Sequence, residues 1–132
     1  MASETSSHVL TTYSGSCHCG ANTYTVVLSQ PIEHIKVVHC NCKLCTKNGY
    51  LNVYPKRKDV KIEGKENLTS YVFSKKSCAH LFCKTCGSSL MASPRASDEG
   101  GEEPEDFAVN VRGFDGIDLE KLQYQKYDGR SV

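Results

Sequence analysis

The chain has 132 residues, sixteen Lys and Arg against fifteen Asp and Glu, and 39% hydrophobic residues. This is one domain's worth of chain, and a formal charge of +1 denies it the strong positive field that nonspecific nucleic-acid binding uses. No apolar run approaches the roughly 18 residues of a membrane span. The Ser/Thr-rich start from Met1 to Ser16 also lacks the basic and apolar regions of a secretory signal, so the expected location is the cytoplasm.

Residues 1–13 are expected to be a flexible N-terminus and 14–132 a single domain. Helical periodicity is scarce, whereas short β-branched and aromatic runs separated by Gly, Pro, Asn or Asp recur, so the chain reads as all-β. In chain order the predicted strands begin with Thr23 to Leu28, with Tyr24, Val26 and Leu28 on one face, and Ile35 to His39, which ends directly in Cys40. Leu51 to Tyr54 stops at Pro55, Val60 to Glu63 stops at Gly64, and Leu68 to Phe73 follows. His80 to Cys83 and Ser89 to Ala92 read as two arms of a hairpin. Ser93 to Asp106 carries two prolines, two glycines and six acids, the composition of a mobile acidic surface loop. Phe107 to Arg112 is a late strand with Phe107, Val109 and Val111 on one side, and Leu119 to Gln125 is the one helical candidate.

Eight cysteines are too many for packing alone, and without an oxidising compartment disulfides have little use, so metal is the leading explanation. They form three clusters and a singleton: Cys17-His18-Cys19-Gly20, Cys40-Asn41-Cys42-Lys43-Leu44-Cys45, Cys83-Lys84-Thr85-Cys86-Gly87, and Cys78. Zinc prefers four thiolates in a tetrahedron, and closely spaced pairs reduce the entropy lost on assembling the site. Seven clustered thiols therefore imply two ions. The two pairs that end in Cys-Gly resemble halves of one structural centre, because a glycine at positive φ turns backbone N–H groups toward sulfur. The middle trio has no partner pair left, so an ion held there keeps a position open for water or a substrate thiol, which points to carbon–sulfur chemistry. Two alternatives stand beside this: Cys78 as a fourth sulfur that closes the trio, or completion by His18, His39 or His80.

Taken together, Gly15-Ser-Cys-His-Cys-Gly20, Cys40-Asn-Cys-Lys-Leu-Cys-Thr-Lys-Asn-Gly49 and Phe82-Cys-Lys-Thr-Cys-Gly87 closely resemble the glutathione-dependent formaldehyde-activating (GFA) family, to which centromere protein V also belongs. The resemblance spans Ser14 to Arg112. It implies a β-tent of small antiparallel sheets stapled by zinc, with a structural zinc on Cys17, Cys19, Cys83 and Cys86 and a catalytic zinc on Cys40, Cys42 and Cys45. The implied activity is a carbon–sulfur lyase of the S-(hydroxymethyl)glutathione synthase type, which joins glutathione to formaldehyde. Lys43, where many relatives place Ser, and Lys47 are the weaker substrate candidates, as cations for an anionic tripeptide. The competing reading is a noncatalytic zinc module for a protein or chromatin partner. Its support is the Lys56-Arg57-Lys58 and Lys75-Lys76 runs, which have no aromatic residue among them to stack a base.

Overall fold

Alternation from Thr23 to Leu28 buries Tyr24, Val26 and Leu28 while their neighbours stay partly or fully exposed, as a half-buried strand requires. In the computed structural model, which describes residues 10–73, 78–94 and 106–131, this strand is β2. It is the middle of a three-stranded antiparallel sheet between β1 (Thr11–Ser16) and β5 (Val60–Glu63). Thr11 to Tyr13, assigned by composition to a flexible N-terminus, therefore belong to a strand paired along its whole length with β2. Tyr13 anchors it: its hydroxyl accepts from the Ile32 N–H at 2.8 Å, and its ring stacks on Phe114 at 5.4 Å.

The second sheet has seven strands in the order β10-β3-β4-β9-β8-β7-β6. These are β3 (Lys36–Cys40), β4 (Asn52–Val53), β6 (Leu68–Phe73), β7 (Cys78–Cys83), β8 (Ser89–Pro94), β9 (Ala108–Asn110) and β10 (Gln123–Tyr127). The expected hairpin is present, with β7 antiparallel to β8 and a register shift between Leu81 and Phe82. All neighbours are antiparallel except β10 and β3, which run parallel. The core lies between the sheets, around Val26, Val37, Val53, Leu90, Met91, Val109 and Phe114.

Three expectations for local structure are corrected. The helix predicted at Leu119 to Gln125 is a three-residue 3-10 turn, Leu119–Lys121, capped by the Asp118 carboxylate accepting from Glu120 N–H at 3.0 Å. The chain then extends as β10, because pairing with β3 satisfies more backbone groups than so short a helix would. The strand predicted at Phe107 to Arg112 ends at Asn110. There the Asn110 side-chain oxygen accepts from both Leu51 N–H and Arg112 N–H at 3.2 Å and starts a 3-10 turn over Val111–Gly113. The one α-helix among the described residues, α1 (Lys43–Asn48), arises where no helix was expected. Six residues cannot sustain a helix alone. Here the Cys42 sulfur caps the first turn by accepting from Cys45 N–H, and Gly49 ends it at φ 68°. Of the predicted acidic loop, Ser93 and Pro94 extend β8 and Asp106 bridges to Lys56, while 95–105 lie outside the described residues.

Candidate metal centre

Two cysteine groups converge. The sulfurs of Cys17, Cys19, Cys83 and Cys86 all lie within 4.8 Å of one another, and so do those of Cys40, Cys42 and Cys45. Sequence reasoning had paired the first and third clusters across the chain, and the fold brings them together: the turn after β1 meets the β7–β8 turn. Cys17 and Cys19 sulfurs stand 3.6 Å apart, as do those of Cys19 and Cys83. An S–S bond is about 2.05 Å, whereas four sulfurs at about 2.3 Å from a zinc ion have edges of about 3.8 Å, so the spacing fits a tetrahedral ion.

Backbone geometry agrees with that donor set. Gly20 and Gly87 both sit at positive φ, 84° and 80°. In each turn the next residue's N–H, of Ala21 or Ser88, donates to the second sulfur, Cys19 or Cys86. Cys83 is buried and accepts from the N–H groups of Thr85 and Cys86 at 3.3 and 3.4 Å and from Asn67 Nδ2 at 3.2 Å. Burial opposes its ionisation, but the two N–H donors outweigh it and hold the thiol below its ordinary value. The Ser88 hydroxyl and N–H pull Cys86 down to about 5. Cys19 keeps the Ala21 N–H bond, yet lost solvation and the neighbouring thiols push it up to about 11. Cys83 and Cys86 thus favour thiolate, and the proton on Cys19 leaves as an ion enters.

The trio is built differently. β3 delivers Cys40, the Asn41 turn delivers Cys42, and the first turn of α1 delivers Cys45. Cys40 accepts from Cys42 N–H and Cys42 from Cys45 N–H, both at 3.4 Å. Burial and the adjacent Cys42 push Cys45 up to about 12, whereas at Cys42 the Cys45 N–H overcomes burial and lowers the thiol. Asn52, buried on β4, points its Nδ2 at Cys45 Sγ, 3.7 Å away, while its Oδ1 has no partner. No fourth Cys, His, Asp or Glu ligand atom joins the group among the described residues. Two of the trio, Cys40 and Cys45, border a cleft of about 600 Å³ that is also lined by Tyr50, Arg112, Lys126 and Asp128 among others.

A model of the glutathione-dependent formaldehyde-activating enzyme family matches residues 12–115. The chain belongs to the GFA family. A solved structure of a Rhodobacter sphaeroides protein is similar over 85% of this GFA chain and 99% of that one, with a TM-score of 0.69 and 29% identity.

The structure separates the remaining candidates of the GFA chain. Cys78 starts β7 and joins neither sulfur group. His18 is exposed and donates its N–H to Ser88 Oγ. His39 lines the cleft. His80 is buried, its Nδ1 bonded to the Tyr50 hydroxyl at 2.6 Å, and burial holds its pKa below the ordinary value. Lys43 and Lys47 project from α1 into solvent and do not line the cleft, whereas Arg112 and Lys126 do. The Arg112 Nε donates to the Gly49 carbonyl at 2.8 Å, which fixes the guanidinium on the rim. Sequence reasoning missed both, since only the turn after β9 and the parallel placement of β10 bring them to the trio. In the basic run near β5, Lys56 pairs with Asp106 at 3.1 Å and Arg57 lies over the Phe107 ring at 4.3 Å. Lys75 and Lys76 lie outside the described residues. No helix among the described residues is long and apolar enough to cross a membrane.

Proposed function

We propose that the chain is a zinc-dependent carbon–sulfur lyase acting on a thiol adduct such as S-(hydroxymethyl)glutathione. In this reading Cys17, Cys19, Cys83 and Cys86 hold a structural zinc, and Cys40, Cys42 and Cys45 hold the catalytic one. The observation that carries the reading is a trio of sulfurs with no fourth Cys, His, Asp or Glu ligand in its group among the described residues, two of whose members, Cys40 and Cys45, line a 600 Å³ cleft. A bound zinc would supply Lewis acidity, favouring the thiolate of an incoming thiol at neutral pH.

The chain's own residues supply the rest. The N–H groups of Cys42 and Cys45 and the Asn52 amide donate to the three sulfurs and orient them. Arg112 is held through Nε, so its terminal nitrogens can meet a substrate carboxylate in a two-pronged pair. Lys126 adds a second cation on the same cleft. The reaction balances without a redox partner: the sulfur–carbon bond forms, the carbonyl π bond breaks, and the thiol proton ends on the former aldehyde oxygen. Holding both reactants in one cleft turns a bimolecular encounter into a positioned one.

The test follows adduct formation from glutathione and formaldehyde by NMR, with and without the protein. The expected result is acceleration that disappears in Cys42→Ala, while that variant keeps one zinc per chain and its fold. A rate untouched by Cys42→Ala would overturn the assignment.

A further inference from the structure

The family match ends at residue 115, yet the chain beyond it returns to the trio. Parallel pairing sets Tyr127 of β10 opposite Cys40 of β3. Just past that pair the two segments are laced through Asn41, the single residue between the first two sulfurs. The Asn41 N–H donates to the Tyr127 carbonyl at 3.1 Å, and its Nδ2 donates to Asp128 Oδ1 at 2.9 Å. Its Oδ1 accepts the Arg130 N–H, also at 2.9 Å. Asp128 is itself fixed by the Ser131 hydroxyl, which together with the Asn41 amide keeps its carboxyl ionised below the usual range. Between these contacts the chain passes so close that a Cβ on Gly129 would lie 2.5 Å from Cys40 Sγ and 3.3 Å from Cys42 Cβ. Contacts under 3.0 Å are ones real Cβ atoms essentially never make.

From this lacing we infer that the segment from Tyr127 to Ser131 is a clamp that preorganises the three sulfurs for an ion, with its first two residues, Tyr127 and Asp128, also lining the cleft. In a Cys-x-Cys pair the middle residue's backbone sets the direction of both side chains. Here that residue is tied by main chain and side chain to a segment remote in sequence. Asn41 is exposed and Asp128 lies on the surface, so these bonds serve the geometry of the turn rather than the core. Partners of this kind, one shell out from the ligands, change metal affinity by about 10- to 100-fold when removed. Asn41, Asp128 and Gly129 are accordingly positioning residues. The inference rests on the trio holding an ion, as proposed above.

The experiment loads the full chain with zinc, or with cobalt(II) as a spectroscopic substitute, counts ions by native mass spectrometry and titrates them with a competing chelator. Wild type is expected to hold two ions with distinct cobalt–thiolate absorption. Gly129→Ala and Asp128→Ala are expected to weaken one ion about 10- to 100-fold and shift the trio's bands alone, leaving the four-thiolate bands in place. Asp128→Asn, which keeps an oxygen for Asn41 Nδ2, should restore most of the affinity. Asp128 is exposed, so its variants will fold even if alanine at 129 does not. Wild-type affinity in both alanine variants would overturn the clamp, as would parallel loss of both ions in Asp128→Ala. A wild type that takes up a single ion would instead sink the metal reading of Cys40, Cys42 and Cys45, and the clamp with it.

Discussion

The two sulfur groups use the same ligand atom for opposite ends. The four-cysteine group joins segments far apart in sequence, with Cys19 and Cys83 64 positions apart, and every sulfur in it has sulfur neighbours. The three-cysteine group comes from six consecutive residues, held by a cap, a turn and the returning C-terminus, and it borders a cleft. An ion in the first closes a long loop and so stabilises the fold. An ion in the second would close almost no loop and contribute little to folding; the position left by the three sulfurs is the one proposed for chemistry. In the proposed reading, sequence separation between ligands separates a staple from a reaction centre.

Cys83→Ala tests the staple most severely. It removes a ligand and leaves three donors, from Thr85, Cys86 and Asn67, without their acceptor. Structural zinc contributes on the order of 10 kcal/mol, comparable to a small domain's entire stability. The variant should therefore show no cooperative thermal transition, as read by circular dichroism. A transition within a few degrees of wild type would show that the sheets stand without the staple.

Acid should act next, and in one direction at both centres. The thiols of Cys19 and Cys45, near 11 and 12 in the metal-free chain, must release protons for an ion to bind. Zinc affinity therefore falls as pH falls. His80 adds to this: its folded pKa lies below the unfolded value of about 6.5. Its contribution is fully present above that value and is lost as pH drops through the folded pKa. Chelator competition and thermal melts between pH 8 and pH 5 should both decline monotonically.

A smaller effect separates the cleft from the helix face. Arg112→Ala should raise KM for carboxylate-bearing thiols about tenfold, the loss of a charged hydrogen bond, with little change for a neutral thiol. Equal effects on both would remove Arg112 from the substrate. The smallest effect is expected at Lys43 and Lys47. Both are exposed on α1 and off the cleft, so alanine there should leave stability within about 0.5 kcal/mol and KM unchanged.

Much of the larger architecture was legible because it depends on local rules. Alternation marked β2 to the residue, since one buried face leaves a period of two, and short β-branched and aromatic runs bounded by turn residues marked β5 and β6. Cys-Gly spacing marked the two halves of the staple, because the glycine turn that aims N–H groups at sulfur is a property of a few adjacent residues. The failures fall where distant partners outweigh local preference. Val111 and Arg112 left their strand for an Asn110-capped turn, and the weak helical pattern at 119–125 gave way to a strand.

By itself the sequence determined the all-β character and the two groups of clustered sulfurs, since periodicity and ligand spacing are local and survive without a fold, but it left open whether Cys78 or a histidine joins the trio. Tertiary structure alone decided what surrounds the trio: the Cys42-capped helix, Arg112 and Lys126 on the cleft, and Gly129 against Cys40. Each of these is a contact across scores of residues or a helix too short to form unaided. Such arrangements depend on how sheets pack and pair rather than on any residue's own preference.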